Sequence, residues 1–547
     1  MLKTVTQPIG SAAAMASAEP SVRFRSIPVG RRAFVWRVVA LLVVLLHGTA
    51  LAAEPASLEQ LRERLDQALQ QTDPSKSRVA AVVLDPLDGR VLYANTHATE
   101  AFIPASNLKL LTTATTLHLY GPDHQLGTVL AIAGDDLLVI GQGDPAFGDP
   151  TLAARDGRTP MSVLDDWADA LRDAGVRQIP GDLVVVDPVF DDQLVHPTWS
   201  AGNRLQWYGA PVAGVSFNDN CVDFTFVPTG PGRPAEVQTL PPAGGFVVQG
   251  QVETRPSKGK HNPVLGKRAD PVDGQSVYLV RGGVTQRAGP YSKPVDDPRR
   301  FLGEVLRAHL QRRGIEIAGE LRLSTGLSPD QRRGLRVIAE HRTPLTDVLG
   351  RVNANSQNLM AEALAKLNGL ALARHRGEAD PRGSWAGGHD AAVAFLQSRG
   401  LDTLSVVAAD GSGLSRENRL SADVLARLLG HMLAEHPHGE YFLDSLAVSG
   451  VKGSLSRRMT QLKGRVFGKT GTINGVSTLS GYVFSPQGSI AVFSILHNGS
   501  ASGFRDQQDA AVAGLADWLA TQPPVTVRDP EILEAQRQVG LVAADNP

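Results

Sequence analysis

The spacing of apolar residues changes period several times along the chain, and the changes mark its elements. From Ser57 to about Gln71, Leu58, Leu61, Leu65 and Leu69 recur at three- and four-residue intervals, which predicts an amphipathic helix opened by a Ser57/Gln60 capping box. Two strand-like runs follow, Arg78 to Leu84 and Arg90 to Tyr93, joined by Asp85-Pro86-Leu87-Asp88-Gly89, whose proline and glycine suit a hairpin turn. An Ala/Leu/Thr-rich run then opens at Ile103. With Leu108, Leu110, Leu111, Ala114 and Leu117 leaving little solvated surface, it predicts a buried helix that stops at Gly121-Pro122.

From about Asp123 to Ser324 helical periodicity nearly vanishes and glycine and proline become frequent. A faint internal repeat lies inside this stretch. Leu171 to Gly175 followed by Gly181 to Val185 resembles Leu310 to Gly314 followed by Gly319 to Leu323, each reading as helix, glycine cap, turn and strand. Between the copies, turn-rich segments such as Pro228 to Pro234 and Pro241 to Gly245 separate short alternating runs, among them Val222 to Val227 and Gly245 to Val252. They predict a β-rich unit nested within an α/β unit.

Helical patterns return from Pro344. Three strand-like runs come near the end, Val466 to Thr472, Leu479 to Ser485 and Ser489 to Leu496, and a helix over Gln507 to Ala520 closes the fold. The expected fold class is α/β (α+β). Two early strands and three late ones complete one five-stranded antiparallel sheet, flanked by terminal helices and an inner helical cluster, and interrupted by two nested accessory units. The expected boundaries are a signal peptide over 1–52, a discontinuous main unit over 53–122 with 325–525, an accessory α/β unit over 123–210 with 285–324, a β-rich unit over 211–284, and a polar tail over 526–547.

Charge alters the picture by exclusion. Lys and Arg total 54 against 55 Asp and Glu in 547 residues, so nothing supports a nucleic-acid partner held by counterion release. A single cysteine, Cys221, excludes an intramolecular disulfide framework and a cysteine-rich metal site. The 14 histidines show no ligand spacing, and His436-Pro437-His438 reads as a polar loop. Arg31, Arg32 and Arg37 precede an apolar run from Val38 to Leu46 and a small-residue stretch, Thr49 to Ala53. This is a signal-peptide pattern with cleavage expected after Ala52, and it predicts export to the periplasm or cell envelope, with an uncleaved anchor as the alternative.

Candidate chemistry begins with Ser106 and Lys109. Three residues apart on a helix they share a face, so the hydroxyl and amine can reach a hydrogen bond, and a desolvated lysine loses proton affinity and can act as a base. Two further constellations follow, Ser356-Gln357-Asn358 and Lys469-Thr470-Gly471-Thr472, the latter with a glycine that permits close backbone approach. Each alone is commonplace: a solvated helix pair, a cap, a strand end. Together and in this order they resemble the S-x-x-K, S-x-N and K-T-G motifs of penicillin-recognising serine enzymes. Asp410 to Arg416, Gly450 to Leu455, Gly143-Asp144-Pro145, Tyr208 to Pro211 and Phe217 to Asn220 narrow the resemblance. They point to the D-alanyl-D-alanine carboxypeptidase/endopeptidase family of penicillin-binding protein 4 type, peptidase family S13.

The resemblance implies Ser106 as acyl-forming nucleophile, Lys109 as its base, Ser356 as proton relay to the leaving amine, Asn358 as polar support, and Lys469 as a positive charge for the terminal carboxylate. It implies Thr470, Gly471 and Thr472 at the substrate strand, with an oxyanion hole from the backbone N–H groups of Ser106 and Thr472, and a side-chain pocket of Arg416, Tyr208 and Asn474. The implied partners are peptidoglycan stem peptides ending in D-Ala-D-Ala, D-Ala-to-diaminopimelate cross-links, and β-lactams as covalent inhibitors. No cofactor or metal is implied. Two departures stand out: Asn203 occupies the place of an expected acidic residue near Tyr208, and Gln357 that of a common aspartate, tolerable if that side chain points out of the site. The alternatives are a β-lactamase or esterase of the same serine-lysine chemistry and an inactive wall-binding or penicillin-sensing protein.

Overall fold

The computed structural model describes residues 56–70, 76–500 and 502–523. The signal peptide expected over 1–52 and the tail expected over 526–547 lie outside the described residues.

A six-stranded antiparallel sheet forms the base of the molecule, in the order Ala447–Val448, Val466–Ile473, Val476–Phe484, Ile490–Gly499, Ser77–Leu84, Val91–Ala94. The five strands expected from sequence are consecutive in it. The sixth corrects the five-stranded expectation: Ala447–Val448 joins the sheet through Gly468 and Phe467, and two residues are too few to leave an alternation in the sequence. The two ends of the chain meet where Ser77–Leu84 pairs with Ile490–Gly499, from Ser77 opposite Gly499 to Leu84 opposite Val492.

Strand alternation sorts this sheet between two cores. Val79, Ala81 and Val83 face the terminal helices, Leu58–Leu69 and Phe504–Leu519, and pack with Leu61, Leu65, Leu69, Val512 and Leu515. Full burial of each of those leucines contributes about 2 kcal/mol. The capping box at Ser57 and Gln60 is present, as the sequence predicted. Ala80, Val82 and Leu84 face the other way, into a helical cluster that includes Leu108–Tyr120, Leu345–Asn353, Asn358–His375, Trp385–Ser398 and Ala422–Ala434. His436 lies in the loop expected there, between Ala422–Ala434 and Gly439–Ser445, but its side chain is buried against this cluster. It is buried edge-on against His118 and His431, and burial pushes it down to about 4.

The inserted part is built on a mixed five-stranded sheet in the order Leu321–Ser324, Leu183–Val186, Asp136–Gly141, Gln125–Ala133, Arg336–Pro344. The internal repeat has a structural meaning. Its two strands, Leu183–Val186 and Leu321–Ser324, lie side by side in parallel with Leu183 opposite Leu321, the two-residue strands before them pair likewise with Gln178 opposite Glu316, and the helices of the two copies, Ser162–Asp173 and Pro298–Arg312, share one core. Two boundaries move. Arg336–Pro344, read from sequence as part of the main unit, pairs with Gln125–Ala133 in the accessory sheet. Its charged, half-exposed residues carry no alternation to reveal it. Ala288–Pro294, read as accessory, pairs with Cys221–Val227 of the β-rich part. Phe224, Phe226 and Tyr278 of that part pack in the same apolar cluster as Phe301, Leu302 and Leu306, so both inserted units share a core.

Candidate active site

Ser106 lies in a single 3-10 turn, Ala105–Asn107, immediately before the helix Leu108–Tyr120, rather than in the helix's own first turn. Ala105 has φ 43°, a left-handed conformation that is costly for a residue with a Cβ. Ser356 is also left-handed, at φ 63°. One strained residue thus directly precedes Ser106 and the other is Ser356 itself, and the surroundings hold the Ser106 turn in place. The Asn107 carboxamide bridges the Thr478 and Ser480 hydroxyls of the neighbouring strand. Gly413, at φ +85°, packs against the turn so closely that a Cβ there would lie 1.8 Å from the Ala105 carbonyl oxygen.

Lys109 is fully buried and its Nζ donates to Ser106 Oγ at 3.1 Å, Asn358 Oδ1 at 2.7 Å and the Ser412 carbonyl at 2.8 Å. Burial pulls its pKa down to about 8, against the attraction of Glu362 and Asp410. Lys469 is equally buried, and its Nζ donates to Ser356 Oγ at 2.8 Å and to the Thr470 carbonyl at 2.9 Å. Burial, then the charge of Lys109, holds it well below the usual lysine range. The five residues Ser106, Lys109, Ser356, Asn358 and Lys469, read from three distant motifs, therefore form two hydrogen-bonded serine-lysine pairs, with Asn358 attached to the first.

Two carboxylates have a supporting role that the sequence did not assign, although Asp410 opens the stretch Asp410 to Arg416 already singled out. Glu362, one helical turn after Asn358 and fully buried, accepts from the backbone N–H groups of Gly411 at 2.7 Å and Ser412 at 2.9 Å, and from Trp385 Nε1 at 2.7 Å. Burial pushes it up to about 8. Asp410 accepts from the N–H groups of Gly413 and Ser415, from Trp199 Nε1 and from Asn418 Nδ2. Together they shape the loop whose Ser412 carbonyl receives Lys109. The available signal was a lone carboxylate in the apolar run from Leu359 to Leu364.

Gly471 makes a close approach of a kind the sequence did not specify. A Cβ there would lie 2.2 Å from Thr478 Oγ1 and 2.9 Å from the Ser106 backbone nitrogen. Gly471→Ala is therefore expected to displace the turn bearing Ser106 and slow acylation by a labelled penicillin about 100-fold, with the circular dichroism spectrum unchanged; stopped-flow labelling checks it. Beyond Gly468 the outer edge of Val466–Ile473 pairs with no other strand among the described residues, which leaves main-chain groups open to an extended ligand.

A cleft of about 1160 Å³ opens over Ser106, Ser356 and Asn358 and is lined further by Thr472, Asn474, Arg416, Tyr208 and Asn203. Arg416 Nη1 donates to the Asn474 carbonyl at 2.7 Å, and the Tyr208 carbonyl accepts from Asn358 Nδ2 at 2.8 Å. Thr470 turns its hydroxyl to Ser454 Oγ at 2.8 Å. Trp207, 46% exposed on the cleft wall, is an aromatic surface that the sequence did not single out. Gln357 is buried and points away from the cleft, donating to Asp219 Oδ2 at 2.8 Å, which accounts for the departure noted at that position. Asp219 sits at the centre of three successive left-handed residues, Asn218 to Asn220, so the inserted unit grips the second motif through a shaped turn.

The chain resembles known proteins along most of its length. The D-Ala-D-Ala carboxypeptidase 3 (S13) family profile matches residues 61–522. A D-alanyl-D-alanine carboxypeptidase of an Actinomadura species is 32% identical over 526 residues, covering 91% of this chain and 93% of the relative. The D-alanyl-D-alanine carboxypeptidase DacB of Haemophilus influenzae is 26% identical over 343 residues, 61% of this chain and 68% of that protein. The crystal structure of H. influenzae penicillin-binding protein 4 (dacB) has a TM-score of 0.66 at 23% identity, covering 84% of this chain and 99% of that one, so the two share a fold. With a profile match along most of its length and a relative of this similarity, the chain belongs to the D-Ala-D-Ala carboxypeptidase 3 (S13) family.

Proposed function

We propose that this chain is a serine-type D-Ala-D-Ala carboxypeptidase of peptidoglycan stem peptides, working through an acyl-enzyme on Ser106. The observation that carries the reading is the double pairing of Lys109 with Ser106 and Lys469 with Ser356 in one cleft. Lys109, its proton affinity lowered by burial, takes the Ser106 proton as Oγ bonds to the carbonyl carbon of the penultimate D-Ala. The oxyanion is held by the backbone N–H groups of Ser106 and Thr472. The C–N bond to the terminal D-Ala then breaks, and the proton on Lys109 passes through Ser356 to the leaving amine. Lys469 faces the terminal carboxylate, whose arrival raises its pKa again and strengthens the contact. Water, deprotonated by Lys109, releases the acyl group and restores the Ser106 hydroxyl.

Arg416, Tyr208 and Asn474 frame the side-chain pocket, with Asn203 in place of a carboxylate. The second activity is endopeptidase cleavage of D-Ala-to-diaminopimelate cross-links. A β-lactam complex of H. influenzae penicillin-binding protein 4 supports β-lactams as acylating inhibitors here. The protein acts after export, with cleavage near Ala52; no helix among the described residues is long and apolar enough to cross a membrane.

Incubation of the mature protein with monomeric pentapeptide muropeptides and with cross-linked dimers tests the reading by mass spectrometry. Loss of one D-Ala from the monomers and conversion of dimers to monomers are expected. Rapid turnover of penicillin without D-Ala release would instead establish a β-lactamase.

A further inference from the structure

Beside the main cleft, on the other side of the second motif, lies another hollow of about 450 Å³, within the usual size range of ligand sites. Asn355, the exposed residue before Ser356, lines both. The walls of the second hollow come from Leu345–Asn353 through Thr346 and Arg351, from Gly439–Ser445 through Tyr441, and from Lys452. It is tied closely to the reacting groups. Ser454, two residues after Lys452, donates its N–H to the Ala354 carbonyl at 2.9 Å, and its hydroxyl receives that of Thr470 at 2.8 Å.

Direction matters here, and it rests on the endopeptidase reading given above. Ser356 and Lys469 stand on the side from which the amine departs. When the leaving group is one D-Ala, nothing beyond that point needs accommodation. When it is the diaminopimelate amine of a cross-link, a second stem peptide continues past Ser356 and requires room. The hollow offers it polar walls. Arg155 is matched by Asp347 and Arg351 by Asp149; Lys452 donates to the Asp444 carbonyl, and although the Asp444 carboxylate also lines the hollow and acts on it, an ammonium with three N–H groups can bridge that residue and a ligand carboxylate. Tyr441 is 37% exposed and supplies a flat surface with a hydroxyl at its edge.

We propose that this hollow is the subsite for the departing strand of a cross-linked dimer, an acidic peptide whose carboxylates meet Lys452 and whose backbone meets Asn355 and Tyr441. Donor-strand recognition in the main cleft and acceptor-strand recognition here would then be separable. That makes the balance between trimming and cross-link cleavage a property of Lys452 and Tyr441, which line the second hollow and not the main cleft.

Lys452→Gln and Tyr441→Ala in the full mature protein test this. The readouts are kcat/KM on the cross-linked dimer, kcat/KM on the monomeric pentapeptide, and the rate of penicillin acylation. Each variant is expected to lose about tenfold on the dimer, with monomer trimming and acylation within twofold of wild type. Unchanged dimer cleavage, or equal losses on monomer and dimer, would overturn the subsite. A wild-type enzyme that trims monomers and leaves dimers intact would overturn the endopeptidase reading, and the subsite with it, while leaving the carboxypeptidase reading standing.

Discussion

Ser106→Ala is expected to release D-Ala from pentapeptide muropeptides at about 10⁴- to 10⁶-fold lower kcat than wild type, and to form no covalent adduct with penicillin. The size of the loss follows from the geometry. Only Ser106 both receives the Lys109 amine at 3.1 Å and sits beside an open strand edge able to order an oxyanion. Ser356 is paired instead with Lys469, its hydroxyl accepting from Nζ at 2.8 Å. Intact-mass measurement after exposure to penicillin decides the matter. An adduct on Ser106→Ala would move the nucleophile elsewhere.

Lys109→Met is expected to cost about 10²- to 10⁴-fold in acylation, and Lys109→Arg about as much, since a guanidinium supplies charge but cannot give up its proton. The wild-type pH profile carries the sharper test. Burial lowers the Lys109 pKa to about 8, so the neutral, proton-accepting form grows as pH rises through that value. The acylation kcat/KM should therefore climb between about pH 7 and 9 and level off above, and both variants should lose this limb. Glu362 and Asp410 act in the opposite sense, raising the Lys109 pKa by their charge. A wild-type profile flat across this range would remove Lys109 from the role of base.

Glu362 also shows where sequence reading stops. Its neighbours in the chain are apolar, and its three hydrogen-bond partners come from Trp385, Gly411 and Ser412, on two other segments. Nothing local announces that a carboxylate there organises the loop facing a lysine of another helix. Arg336–Pro344 was missed for a related reason. A charged edge strand has neither a buried face nor an alternation, and its identity comes only from the partner it pairs with. The two-residue strand Ala447–Val448 is likewise defined by pairing alone.

What the sequence determined by itself is whatever depends on local order. The capped first helix, the hairpin before Ser106, the stop at Gly121, the late strands and the three motifs are all periodicities or short spacings, read without knowledge of distant contacts. The repeat was visible too, although its parallel pairing was not. The tertiary structure decided what depends on position in space: that Lys109 and Lys469 are both desolvated, that Ala105 and Ser356 are held in left-handed backbone, and that Gln357 turns away to Asp219. It also decided which strand lies at a sheet's edge and how a second hollow adjoins the cleft at Asn355. Burial and proton affinity arise from the atoms that chain reversal brings alongside a residue, and those lie up to several hundred positions away in the sequence, where no local pattern can record them.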